Sequence, residues 1–243
     1  MDLKEFDLDL PYLVNEAKIQ SIMKDRGCSY QEATKFDYEQ NWKELRRSFR
    51  LETRCMTSMF ERLFGKLKTE DCWKILVECV SDIKEERVLN FSGVCTVQVK
   101  FGVNDFLESD EYNKKVATLE LLIQGIRKVV QKYGWNEDSF NHVYSLIKET
   151  QYINEWVWKK PVKSPDGKYV AEVICQHNIK SMDISILVKE KGGSQAIKKN
   201  SIISELPDEF AYAKHLGQLQ WLSNFEVVLI NKKGDHSWST LVD

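Results

Sequence analysis

Apolar residues return along this chain at two different intervals, and the clearest run follows the helical one. Between Ser109 and Gly134, the residues Tyr112, Val116, Leu119, Leu122, Ile123, Ile126, Val129, Val130 and Tyr133 recur at three- and four-residue steps. Lys114, Lys115, Glu120, Arg127 and Lys128 fall mostly elsewhere. That spacing draws one stripe along an α-helix. Ser109 suits an N-cap, Asp110 and Glu111 place negative charge on the first turn, and Gly134 stands where a left-handed C-cap residue belongs. At about 1.5–3 kcal/mol per buried large apolar side chain, the stripe contributes on the order of 15 kcal/mol before entropy is subtracted. The pattern predicts a core-building helix that carries no chemistry and covers a sheet formed by its flanks.

Upstream, residues 1–10 are acidic and read as extended. Pro11 opens a predicted helix through Arg26, with Leu13, Ile19, Ile22 and Met23 apolar and Gly27 as its stop. Ser29-Tyr30-Gln31-Glu32 is a capping box, so a second helix follows at once. Its apolar series, from Ala33 and Phe36 to Leu63 and Phe64, continues to Gly65. That is long for one helix, and a break is expected near Asn41 or Leu51. Residues 1–66 are therefore expected to form an α-helical arm or cap and residues 67–243 an α+β domain, the alternative being one domain throughout.

From Cys72 the interval shortens to two. Trp73, Ile75, Val77 and Cys79 alternate with polar neighbours, as do Cys95, Val97, Val99 and Phe101. The first of these segments also satisfies a helix capped by Thr69, and its β-favouring residues decide for a strand. A short helix from Glu137 to about Glu149 follows the long one. The rest reads as sheet: Tyr152–Lys160, a Ser164-Pro165-Asp166-Gly167 turn, Lys168–His177, Met182–Lys189, a Gly192-Gly193 turn and Ala196–Ser204 make a four-strand antiparallel meander. A short helix ends near His215, and Gln218–Leu222, Phe225–Asn231 and His236–Val242 read as final strands. The expected class is α+β, with an N-terminal helical hairpin or cap and then a largely antiparallel sheet covered by a helix pair.

Composition narrows the function without supplying it. A 42% hydrophobic, 30% charged chain is ordinary for a globular protein, and a net charge of −2 lacks the footprint of a whole-chain nucleic-acid binder. The acidic N-terminus lacks the build of a signal peptide, and no apolar run is long enough to span a bilayer, so a cytoplasmic protein without a membrane partner is expected. Cys28, Cys55, Cys72, Cys79, Cys95 and Cys175 form no CxxC pair and read as reduced, mostly buried thiols.

The motifs of phosphate loops and of the serine-hydrolase elbow are absent. Of His142, His177, His215 and His236, none forms HxH or HExxH, so no metal and no cofactor is expected. Cys175 and His177 share one strand face and, with Asp183, are the candidates for a catalytic set. Asp9 with Glu16-Ala17-Lys18 has the letters of a metal-nuclease motif but lies on a helix and its lead-in. Lys43, Arg47, Arg50 and Arg54 draw a basic stripe on the second helix that would suit phosphates, although Asp2, Glu5, Asp7 and Asp9 stand ready to pair with it. The helix that follows the capping box is acidic, which argues against reading a DNA groove, and nucleic acid is an unlikely partner. Tyr152, Trp156 and Trp158 share a strand face and suit either core or interface. By exclusion the sequence points to a non-catalytic, cytosolic protein that binds another protein, for example an inhibitor or immunity-type protein, with partner-binding candidates Trp156, Trp158, Arg47, Arg50 and Arg54. An enzyme built around Cys175 and His177, or a nucleic-acid module using helix 43–54, are the alternatives.

Overall fold

Alternation at the N-terminus builds strands before any helix. In the computed structural model, which describes residues 1–242, Asp2–Leu3 (β1) and Glu5–Asp9 (β2) are strands, with Leu3, Phe6 and Leu8 fully buried. The predicted helix starts late. Asn15, not Pro11, caps α1 (Glu16–Arg26) by accepting from the Lys18 amide at 3.1 Å, and Gly27 ends it at φ 62°. The capping box forms as expected on α2 (Tyr30–Asp37): the Ser29 hydroxyl accepts from the Glu32 amide, and the Glu32 carboxylate accepts from the Ser29 amide at 2.9 Å. The expected break falls near Asn41, where Tyr38–Trp42 widens into a π-turn before α3 (Lys43–Phe64).

The chain forms two units, Met1–Tyr152 and a second from Ile153 onward. Position 66 falls inside the first, because β1 pairs with β3 (Leu67–Lys68) and β2 pairs with β4 (Lys74–Val80). With β5 (Leu89–Phe91) and β6 (Val94–Lys100) they complete a sheet in the order β2-β4-β6-β5. β2, β4 and β6 are parallel: three helices return the chain between β2 and β4, and β5 runs back between β4 and β6. The ambiguous segment after Cys72 is thus a strand. Phe6, Leu8, Ile75, Val77, Cys79, Cys95, Val97 and Val99 bury one face of this sheet, whereas Glu5, Asp7, Lys74, Leu76, Glu78, Thr96 and Gln98 leave the other half-exposed.

The long helix meets the buried face. After α4 (Val103–Glu108), α5 (Glu111–Tyr133) is capped by Asp110 rather than Ser109, through the Asn113 amide at 2.8 Å, and ends on Gly134 at φ 65°. A Cβ at Gly125 would stand 2.2 Å from Val77 Cγ2, so this glycine sets how closely α5 approaches β4. The stripe is shifted from expectation at its start: Tyr112 is exposed, and Lys114 is buried in an ion pair with Glu52 at 2.7 Å. Phe6, Phe60, Phe64 and Phe140 join β2, α3 and α6 (Asp138–Glu149) at ring-centroid distances of 4.8–6.4 Å.

The second unit holds two antiparallel sheets. β7 (Glu155–Lys163), β8 (Tyr169–His177), β9 (Met182–Glu190) and β10 (Ala196–Glu205) form the expected meander. β7 starts later than expected, so Tyr152 is not on it. Tyr152 lies in the left-handed region at φ 59°. A single-turn helix α7 (Glu209–Tyr212) leads to β11 (Gln218–Trp221), β12 (Glu226–Ile230) and β13 (Ser237–Leu241). Val173, Cys175, Met182, Ile184 and Ile186 of the meander share a core with Tyr212, Leu216, Val227 and Leu229. The class is α+β, and among the described residues no helix is long and apolar enough to cross a membrane.

Candidate functional site

The strand register separates the three residues expected to act together. Cys175 pairs across with Ile184 and His177 with Met182, all fully buried on the inner face, while Asp183 pairs with Gln176 and Ser204 on the outer one. Asp183 accepts from Asn178, Ser181 and Ser204 at 2.9, 2.8 and 2.6 Å, which fixes a bend and engages no nucleophile. The ring Nε2 of His177 lies 3.2 Å from the Pro207 carbonyl oxygen, and its edge faces Tyr212. Burial pushes the Cys175 thiol up to about 12, so at neutral pH it stays protonated. This arrangement supplies packing and no activated sulfur.

The aromatic and basic candidates are also engaged within the chain. Trp156 and Trp158 are half-buried against the core of the second unit, and Lys159 covers the Trp158 ring at 4.2 Å. On α3, Arg46 holds Asp9 with two hydrogen bonds of 2.8 and 2.6 Å, Arg50 reaches Asp7 at 3.7 Å, and Arg54 holds Glu61 at 2.7 Å. Arg47 makes an exposed pair with Glu44 at 3.6 Å. The acidic N-terminal strand has thus taken much of the charge that would otherwise face phosphates.

A site not foreseen lies at the β5 edge of the first sheet. Asn90 pairs in register with Cys95, which turns its side chain toward the helix-covered face, and Leu89 and Phe91 consequently point the other way. The Asn90 amide nitrogen lies 3.0 Å from the Asp71 carbonyl oxygen, 3.1 Å from Tyr133 Oη and 3.5 Å from Cys95 Sγ. The Cys95 thiol in turn donates to Tyr133 Oη at 3.7 Å, and the Cys72 thiol donates to the Lys74 carbonyl oxygen at 3.4 Å. The Asn90 amide is thus the donor that reaches the Cys95 sulfur. The neighbouring Cys72 thiol lowers the pKa of the Cys95 thiol against the opposing effect of burial, while that of Cys72 itself is raised above the ordinary thiol range. Asn90 also lines a groove of about 630 Å³ together with Glu86–Leu89, Lys128, Gln131 and Lys132. Lys132 donates to the Val88 carbonyl oxygen at 2.9 Å and Lys128 to that of Gln98 at 2.8 Å.

Sequence reasoning passed over this place because β5 has only three residues and Cys72 and Cys95 are far apart in the chain. The available signal was Asn90-Phe91-Ser92-Gly93 ahead of an alternating run, which marks a hairpin; Ser92 and Gly93 indeed have φ 52° and 84°. Among the described residues, no group of three or more His, Cys, Asp or Glu side chains is placed to hold a metal ion. Comparison with known protein families, with curated proteins and with solved structures finds no match to this chain.

Proposed function

We propose that the protein is a non-catalytic, cytoplasmic protein-binding protein, of the inhibitor or immunity type, and that it engages another protein through the β5 edge and the half-exposed face beside it. The observation that carries this reading is Phe91, which is 84% exposed on an edge strand next to Leu89 at 47%. Edge strands offer unpaired backbone groups, and proteins ordinarily blunt them with charge or cover them. Here two large apolar side chains stand on the open edge instead. Val94 opposite Phe91, and Leu76 and Thr96 beside Leu89, extend the surface inward along the sheet. A partner that adds a strand to β5 would satisfy its backbone and bury Leu89 and Phe91 together, which is the known mode of edge addition. The six free cysteines suit a reducing compartment.

The test compares the wild-type protein with Phe91→Asp, both captured from the host's own lysate at gentle salt and weighed intact by native mass spectrometry. The substitution is on the surface and should leave stability within about 0.5 kcal/mol. A companion protein at fixed stoichiometry on the wild type that is lost from Phe91→Asp supports the reading. A companion retained equally by both, or none on either, overturns it.

A further inference from the structure

We propose that the strand added to β5 comes from an acidic segment of the partner, in which apolar and carboxylate side chains alternate, and that its carboxylates enter the groove between β5 and α5. The inference rests on the reading that β5 accepts an added strand, and it names the chemistry of what is added. Residues opposite one another on neighbouring strands point to the same face of a sheet, and successive residues point to opposite faces. Leu89 and Phe91 stand exposed on one face of β5, so the side chains that come to lie beside them cover that surface best if they are apolar. Asn90 points to the other face, where its amide meets Tyr133 of α5 at 3.1 Å. A side chain beside Asn90, or the next but one beside Val88, therefore enters the groove that these two residues line with Lys128 and Lys132.

The charge in that groove selects what can enter. Lys132 donates to the Val88 carbonyl oxygen at 2.9 Å, which holds its ammonium group beside the start of β5 with donors to spare. Among the described residues it makes no ion pair. The other charges of the lining are opposed from within the chain: Lys128 lies 3.8 Å from Glu86, and Arg87 is held by Glu85 through two hydrogen bonds of 2.9 Å. Asp71 is tied to Asn90 by its backbone carbonyl oxygen, at 3.0 Å. One lysine charge is thus left uncompensated where an added strand would run. Opposite charges on adjacent strands attract and like charges repel. An apolar occupant would strip water from Lys132 without replacing it, so a carboxylate is the occupant that the groove favours.

The experiment titrates the full-length, isotope-labelled protein with capped hexapeptides in which valine alternates with glutamate, with glutamine or with lysine, and follows the backbone amide resonances of Leu89–Phe91. The glutamate peptide should shift these resonances and bind roughly fivefold more tightly than its glutamine counterpart at low salt. The lysine peptide should bind weakest, and the preference should shrink between about 0.01 and 0.15 M salt. Lys132→Gln should erase the preference, and Phe91→Ser should weaken all three peptides. Binding at β5 that is equal for the three, or a preference unmoved in Lys132→Gln, overturns the acidic segment and leaves strand addition standing. No shift at β5 with any peptide overturns both. A glutamate peptide that binds Phe91→Ser as well as the wild type is held elsewhere on the surface, and that also overturns the proposal. Should Lys132→Gln fail to fold, the wild-type peptide series and its salt dependence decide it.

Discussion

Gly125 and Asp37 show how much of this fold rests on single side chains or their absence. An alanine at Gly125 would favour the helix by about 0.5–1 kcal/mol in isolation, yet its Cβ would press to 2.2 Å of Val77 Cγ2. Overpacking of that kind costs about 1–3 kcal/mol, so Gly125→Ala is expected to lower the melting temperature, and Val77→Ala in the same chain should recover part of the loss. Asp37 is buried, which raises its pKa, but Lys18 at 2.6 Å, Asn41 at 2.9 Å and the Tyr12 hydroxyl at 2.9 Å outweigh burial and hold it below the ordinary value of 3.8. The carboxylate also helps to push Tyr12 up to about 12, after desolvation. Because the folded pKa is depressed, the stabilisation is complete above 3.8 and disappears as the pH falls through the folded value. Asp37→Asn should cost about 1–3 kcal/mol at neutral pH, and denaturant titrations should show that difference shrinking below pH 4. A difference that persists unchanged in acid would mean the charge is not what matters.

At the level of elements, what could be read in the sequence was what is local. The α5 stripe, the meander and the capping box are each encoded within a few residues of themselves, and each formed close to its expected bounds. What could not be read depends on partners distant in the chain. Nothing in Glu5–Asp9 announces that it lies parallel to Lys74–Glu78, so residues 1–66 looked like a separable arm when they supply an edge strand of the first sheet. Lys114 looked like a surface charge because Glu52, which neutralises it at 2.7 Å, belongs to another helix. Strand alternation placed Cys175 and His177 on one face correctly, but the assignment of Asp183 to the same site ignored that an odd step in the antiparallel register sends it to the opposite side. The Cys95 cluster needed a hairpin, a turn and a helix end to coincide.

For the whole molecule, the division after Tyr152 has a direct test. The second unit buries its own core between two sheets, and its hydrogen-bonded pairings all lie within it. A fragment from Ile153 onward is expected to fold alone and to show dispersed amide resonances with slow exchange in β8 and β9. A collapsed spectrum without protection would show that the division is only one of contact density.

The pairing of β2 with β4 bears on how the protein is made. Leaving a ribosome amino end first, the strand Glu5–Asp9 has no partner until Lys74–Glu78 has followed it out. For that interval Phe6 and Leu8 have no sheet to cover them. Closing so long a loop is intrinsically slow. The strand Glu5–Asp9 is therefore made well before it can be secured, and the nascent chain is open to chaperones or to misassembly until residue 78 emerges.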